Sequence, residues 1–339
     1  MGAKIKDVAA LAGVSVATVS RVLSNGPVSA ALRQQVEAAV QQLGYSPNLS
    51  ARRLRSQHSQ TVGLIVSDIR NPFFTAVSRA VEDVAYQAGM RVILCNADEN
   101  PDKEAMYLRL MQEERVCGVI FSPTTVSARR FRPERFDFPV VMIDRAGPAG
   151  ATDAVVLDNR QAAAQLTEHL LANGYRRIGG LFGNSGATGA ERAAGYRDAM
   201  TAHGQKSDVR FVVPGSEAAD HLVRQWLCEP ARPQALLASN GLLLLGALQA
   251  VRASGLAIPD DIGLAGFDND VWTGLVGEGL TVIEQPVYDI GAMAMDMLLS
   301  RLRSPTLANR LLVLHGTLLA RGSTRPATHQ VRIESSAAP

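Results

Sequence analysis

Apolar residues near the start of the chain recur with a helical period. Ile5, Val8, Ala9 and Ala12 stand at i, i+3, i+4 and i+7, which gives a first helix one apolar face. Gly13 stops it and a very short link follows. Ser15 is placed to cap a second helix whose apolar face is Val19, Val22 and Leu23, and Asn25-Gly26-Pro27 ends that helix. Ser29 can cap a third, with Leu32, Val36, Ala39, Val40 and Leu43 turned inward and Gly44 closing it. Two helices joined by a tight Gly-containing turn and braced by a third make a helix-turn-helix; a plain three-helix bundle has the same pattern. The second helix leaves Val16, Ala17, Ser20 and Arg21 on its outer face.

From residue 61 the pattern changes. Strand-like runs at Thr61–Val66, Arg91–Cys95, Val116–Ser122 and Val140–Ile143 alternate with helical patterns. One such helix sets Val77, Ala80, Val81, Val84, Ala85 and Ala88 on one face. A second series follows at Ile178–Phe182, Arg210–Val213, Ala235–Ala238 and Ile262–Phe267. Alternation of this kind signals parallel sheets, and two similar series predict two lobes with a cleft between them. The expected fold class is an N-terminal all-α helix-turn-helix head plus an α/β body of two lobes. The boundaries read as 1–46 for the head, 47–60 for a linker, 61–326 for the body and 327–339 for a polar, disordered tail.

Composition narrows the function classes. The 339 residues are 47% hydrophobic and 19% charged, ordinary for a globular chain. No apolar run is long enough for a transmembrane helix, and no apolar leader precedes Asp7, so a cytoplasmic protein is expected. Cys95, Cys117 and Cys228 follow no metal spacing and read as buried free thiols. No His-Glu-x-x-His occurs, so neither a metal nor a cofactor is expected. The net charge of +2 is unevenly spread: residues 1–60 hold seven Lys/Arg against Asp7 and Glu37, which leaves the rest of the chain at −3. A basic head on a mildly acidic body suits a polyanion partner for the head; a solvated basic face is the plainer alternative. Arg21 lies one turn after Ala17. Arginine can grip guanine with two bonds, and a small apolar side chain can meet a thymine methyl.

Ligands of open α/β sheets bind beyond the carboxyl ends of the strands. Those ends carry Ser67/Asp68, Asp144/Arg145, Asn184, Asn240 and Asp268, and Arg192 follows in a nearby helix. Carboxylates, amides and arginines facing a cleft can exchange hydrogen bonds with a polyhydroxylated ligand. Singly, Asp and Asn at strand ends are also ordinary caps and turn formers. The glycine-rich stretch Gly183–Gly189 lacks the Lys-Ser/Thr of a P-loop. Ser185 has no Gly-x-Ser-x-Gly elbow around it, so no catalytic nucleophile is identified.

The run Ile5-Lys6-Asp7-Val8-Ala9-Ala10-Leu11-Ala12-Gly13-Val14-Ser15-Val16-Ala17-Thr18-Val19-Ser20-Arg21-Val22-Leu23-Ser24 resembles the LacI-type transcriptional regulators. Ala51-Arg52-Arg53-Leu54 resembles that family's hinge helix, and the likeness continues to Arg321-Gly322-Ser323-Thr324-Arg325. The resemblance implies a two-lobed body like that of periplasmic sugar-binding proteins. It implies DNA contacts at Ser15, Val16, Ala17, Thr18, Ser20, Arg21 and Tyr45, phosphate contacts at Arg52, and a minor-groove wedge at Leu54. Without a partner, a segment as short as 49–56 is a flexible basic tether. The resemblance also places effector contacts at Asp144, Arg192 in Arg-x-x-Gly, Asn240, and Asp268 in Gly-Phe-Asp, with Gln285 near the lobe crossover. Phe73 and Phe74 would stack on a sugar face; ordinary core burial is their alternative. One departure is Gly241, where the family usually carries Asp after the Asn.

The leading expectation is therefore a transcriptional repressor that binds a palindromic double-stranded operator as a homodimer under allosteric control of a small effector. Arg145 and Arg192 beside one cleft extend the effector classes from a sugar to a sugar acid or sugar phosphate. A sugar-binding protein without a DNA role and a cytosolic sugar-acting enzyme are the alternatives. The basic head opposes the first, and the lack of a nucleophile–base pair opposes the second.

Overall fold

A computed structural model describes residues 3–23, 26–45, 60–148 and 150–325. The chain divides into two units, 1–59 and 60–339, each considered by itself. Residues 46–59, which include Arg52 and Leu54, and the segment 326–339 lie outside the described residues.

The head is three helices, α1 (Ile5–Leu11), α2 (Val16–Leu23) and α3 (Ala30–Leu43). Their caps form as the sequence predicts. The Thr18 N–H donates to Ser15 Oγ at 3.1 Å and the Leu32 N–H to Ser29 Oγ at 3.4 Å. Gly44 closes α3 in the left-handed region at φ 55°, which glycine adopts without steric cost. Val8, Ala9, Ala12, Val19, Val22, Val36 and Ala39 form the core. Two positions differ from expectation. Leu32 is exposed, and Val28, ahead of the helix, packs on the core instead. Val16 packs against the core rather than facing outward, because it stands three residues before Val19 and shares its face.

The body holds two six-stranded sheets. The first lobe uses β1 (Thr61–Val66), α4 (Pro72–Gln87), β2 (Arg91–Asn96), α5 (Pro101–Glu113), β3 (Gly118–Phe121), α6 (Thr125–Arg130), β4 (Val140–Ile143) and β5 (Asp153–Leu157). The second uses α7 (Asn159–Ala172), β6 (Ile178–Gly183), α8 (Ala187–Ala202), β7 (Asp208–Val212), α9 (Ser216–Leu227), β8 (Ala235–Ala238), α10 (Gly241–Ala253), β9 (Gly263–Phe267) and β10 (Thr281–Glu284). The chain then returns as α11 (Val287–Arg303) and β11 (Leu311–Leu314) to the first lobe, and ends with β12 (Thr317–Leu319) in the second. The strand orders are β11-β5-β4-β3-β1-β2 and β12-β10-β9-β8-β6-β7. The inner strands are parallel, and β12 runs antiparallel to β10. The chain thus crosses between lobes three times, at residue 158, at Gln285-Pro286 and at 315–316.

Buried side chains hold each layer. In the first lobe, Val77 and Val81 of α4 meet Ile290, Ala294, Met295 and Leu298 of α11. Backbones approach closely where glycine permits it. A Cβ on Gly195 of α8 would lie 2.0 Å from the Arg160 carbonyl of α7, so those helices touch main chain to main chain. Asp153, 1% exposed at its side chain, opens β5 and binds Arg301 of α11 at 3.0 Å and Arg310 at 3.1 Å. Cys95 and Cys117 are buried as expected, but Cys228 is exposed, because it falls at the cap after α9 rather than inside it. Ala88 is likewise exposed as the residue that caps α4.

Candidate functional site

The carboxyl ends of both sheets face one cleft. All eight effector positions named from the sequence line it: Phe73, Phe74, Asp144, Arg145, Arg192, Asn240, Asp268 and Gln285. The cleft holds about 570 Å³ of space, part of it open to solvent, within the range of small-molecule sites.

Asp144 follows β4 and Asp268 follows β9, which hold the same place in the two strand orders. Both residues have positive φ, 64° and 75°, a region Asp tolerates better than most side chains. The backbone turn swings each carboxylate over the end of its sheet. Asp268 accepts from the Gly241 N–H at 2.8 Å and from Gln285 Nε2 at 2.5 Å, which ties the β10 crossover to the site. A Cβ on Gly241 would lie 2.7 Å from Asp270 Oδ2, so the departure at this position makes room for a neighbouring carboxylate. Asn240 serves as cap and lining residue at once: its Oδ1 accepts from the Leu243 N–H at 2.8 Å.

Two guanidinium groups cross the cleft. Arg192 is 4% exposed. Its Nε donates to Asn159 Oδ1 at 2.8 Å, one terminal nitrogen donates to the Ser239 carbonyl, and the group stacks 3.9 Å over the Phe267 ring. Burial pushes its pKa down, against the pull of Asp268 and Asp144. Arg145 makes two bonds to Glu99, at 2.8 and 2.6 Å, and a third to the Pro123 carbonyl at 3.1 Å. Burial opposes its charge, but Asp144 and Glu99 overcome burial and raise its pKa. The Asp144 carboxyl is pushed up by burial, with Arg145 and Arg192 opposing. Asp68 lies at the end of β1 and is clasped by the exposed Arg70 through two bonds of 3.0 Å.

Phe73 and Phe74 are buried in the core, as the plainer alternative has it, and both also line the cleft. The rings pack edge to face at 5.0 Å within the first-lobe core and also reach the cleft. Two strand-end residues do not line it. Asn184 is exposed and does not line the cleft, whereas Gly183 and Ser185 on either side of it do. Ser67 is buried beneath, 2.9 Å from the Ser122 hydroxyl. Sequence reasoning missed Glu99, Asn159, Ser185 and Ser239. Glu99 stands three residues past β2, whose end obeys the same rule that found Asp144. Among the described residues no His/Cys/Asp/Glu group could hold a metal ion.

In the head, Ser15, Ala17 and Arg21 are exposed, Thr18 and Ser20 half-buried. The Ser15 and Thr18 hydroxyls lie 2.9 Å apart. A Cβ on Gly26 would sit 2.7 Å from Arg21 Cγ, so this glycine gives the Arg21 stem a place to lie. Tyr45 packs half-buried against the head core.

Comparison with known proteins assigns both units. Residues 4–48 match the model of bacterial regulatory proteins of the lacI family. Residues 59–314 match that of periplasmic binding proteins and the sugar binding domain of the LacI family. The chain is 35% identical over 332 residues to the HTH-type transcriptional regulator KdgR of Bacillus subtilis, covering 94% of this chain and 97% of the relative. It is 33% identical to the ribose operon repressor of Escherichia coli, covering 95% and 99%. The lac repressor dimer bound to operator and the anti-inducer ONPF superposes with a TM-score of 0.85 at 25% identity, covering 96% and 100%. The complex of the transcriptional regulator CelR with cellobiose gives 0.70 at 27%, covering 95% and 99%. No helix among the described residues is long and apolar enough to cross a membrane.

Proposed function

The chain belongs to the LacI family of bacterial regulatory proteins, and from that premise we propose that it is a transcriptional repressor in the cytoplasm, without catalytic activity. It binds a palindromic operator as a homodimer and takes a small sugar-type effector between the lobes of its body. The observation that carries this reading is the convergence of Asp144, Arg145, Arg192, Asn240, Asp268 and Gln285 on one cleft, in a chain that opens with a capped helix-turn-helix.

The physical sequence is short. The exposed face of α2 offers Ala17 and Arg21 to base edges in the major groove. The segment 47–60, whose residues 47–59 lie outside the described residues, supplies phosphate contacts through Arg52 and a wedge through Leu54. Two lobes joined by three chain crossings move as near-rigid bodies, so a ligand that bridges Asp144 and Asp268 fixes the angle between them. In the dimer that angle sets the spacing of the two linkers. The coupling is reciprocal: operator must change effector affinity by the factor by which effector changes operator affinity.

Two variants test the DNA side. Arg21→Ala should weaken operator binding by about 1–3 kcal/mol per half-site and relax base preference, read by fluorescence anisotropy against operator and random duplexes. An equal loss on both duplexes would make Arg21 a phosphate contact. Leu54→Ala should reduce DNA bending and specific affinity together in a circular-permutation gel-shift series. Unchanged bending and affinity would leave the segment as a tether.

A further inference from the structure

We propose that the α8 end of the cleft is an anion subsite, formed by the Ser185 hydroxyl, the first turn of α8 and the Nε–H of Arg145, and that it selects a sugar acid by its carboxylate. The proposal rests on the effector reading above and narrows it to one chemical class.

The start of α8 is bare. Gly186 occupies its cap position and has no side chain to accept from the first amides. At the cleft Asn71 caps α4 and Asn240 caps α10 with a side chain, whereas Gly215 before α9 and Pro286 before α11, like Gly186, offer none. A Cβ on Gly189 would lie 2.0 Å from the Gly183 carbonyl, so no larger residue fits at that position of the turn. The positive end of a 16-residue helix therefore meets the cleft with its cap position open, beside Thr188.

Two buried donors stand beside it without a hydrogen-bond partner among the described residues. They are Ser185 Oγ and Arg145 Nε. Arg145 is 6% exposed, and its guanidinium comes from the opposite lobe to lie against Gly186; a Cβ there would be 2.4 Å from Nε. Nε is 3.1 Å from Asp144 Oδ2, yet this ion pair is off the N–H axis and leaves the hydrogen unused. Buried polar groups in folded chains are nearly always satisfied, and two exceptions at one place call for a shared acceptor. A carboxylate offers two oxygens to two donors and its charge to the helix end; a sugar hydroxyl offers one oxygen and no charge.

The cleft lining carries four carboxylates, Asp68, Glu99, Asp144 and Asp268, against Arg145 and Arg192, and each carboxylate is engaged. Glu99 is engaged in two bonds to Arg145, and Asp268 accepts from Gly241 and Gln285. The Asp144 carboxylate is paired with Arg145 at 3.1 Å. Arg145 and Arg192 remain as the cations.

The test uses the full-length protein and titration calorimetry with D-gluconate, D-galactonate and 2-keto-D-gluconate, beside D-glucose, D-galactose, D-ribose and glucose 6-phosphate. One of the three acids should bind at least about 100-fold more tightly than the neutral sugars, the effect of a charged group on built donors. Ser185→Ala should then weaken that acid by about 10-fold while leaving the weak neutral binding unchanged. Arg145→Lys, which keeps the charge but lacks the Nε–H and the paired bonds to Glu99, should weaken the acid by more than it weakens the neutral sugars. Neutral sugars that bind more tightly than the acids overturn the subsite and leave the effector cleft standing. Stronger binding of the phosphate ester overturns the carboxylate assignment. Wild-type affinity for the acid in Ser185→Ala overturns it as well. Failure of all seven compounds removes the effector reading and the subsite with it.

Discussion

Replacing Asp153 with Asn should lower the unfolding free energy of the body by about 3–5 kcal/mol, the usual cost of leaving one half of a buried ion pair. The carboxylate is 1% exposed at its side chain. It accepts from Arg301 Nε at 3.3 Å and a terminal nitrogen at 3.0 Å, from the Arg310 N–H at 2.7 Å and from the Arg310 side chain at 3.1 Å. These bonds tie the first residue of β5 to α11 and to the residue before β11, so one side chain closes the outer edge of the first lobe. Asparagine has the same shape but no charge and one acceptor oxygen. The pH dependence has a definite sign. Burial opposes the charge on Asp153, but Arg310 and Arg301 overcome it and hold the carboxyl below its ordinary value. Its contribution is therefore present above the unfolded pKa of about 3.9 and lost as pH falls through the lower folded value. Urea unfolding at pH 7 and at intervals below pH 5 measures both effects. A loss under about 1 kcal/mol at pH 7 would reduce the network to the standing of a surface pair.

Arg192→Ala should abolish the response to whichever compound of the sugar and sugar-acid panel binds, with affinity down by about 100-fold or more. The side chain is fully enclosed, and its removal leaves Asn159 Oδ1, the Ser239 carbonyl and the Asp268 carboxylate facing an emptied space. The variant is also expected to be less stable, by the about 1–3 kcal/mol of a buried unsatisfied group. Asp268→Asn separates the two effects. It keeps the volume and an oxygen for the Gly241 N–H but removes the charge opposite Arg192. Both variants should bind operator without effector nearly as the unaltered protein does. A folded Arg192→Ala protein that releases operator at the same effector concentration would remove the residue from the site.

Much of this arrangement was legible because buried parallel strands are uniform. Thr61–Val66 and Ala235–Ala238 are buried at every position, so they stand out as unbroken apolar runs between helical periods. Four strands went unread, β5, β10, β11 and β12. β11 and β12 hold only exposed and half-buried positions over four and three residues, too short a pattern to separate from loop. β5 was missed because Asp153, a charged residue, opens it, and only the two arginines explain that charge in a buried strand. Within the site, Asp144 and Asp268 were readable from the rule about strand ends. Asn184 obeyed the same rule and failed, since side chains at successive positions alternate in direction and that rule does not say which one enters the cleft. Asn159 was invisible for a different reason: it holds Arg192, more than thirty residues away, and is placed only by that bond.

The three chain crossings also bear on how the protein emerges from the ribosome. Residues 5–43 hold the three described helices of the head in one continuous stretch, so their core can close as soon as α3 has left the exit tunnel. The first lobe cannot. When β5 has been made, the face of α4 that carries Val77 and Val81 still lacks Ala294, Met295 and Leu298, and the edge of β5 lacks β11. Those pieces come only after nearly all of the second lobe has been translated. At ordinary bacterial elongation rates the nascent chain must hold an apolar helix face and an open strand edge for on the order of ten to thirty seconds. A synonymous change that slows decoding between residues 158 and 286 lengthens that interval. It should therefore lower soluble yield through aggregation of nascent chains, although the finished protein is identical.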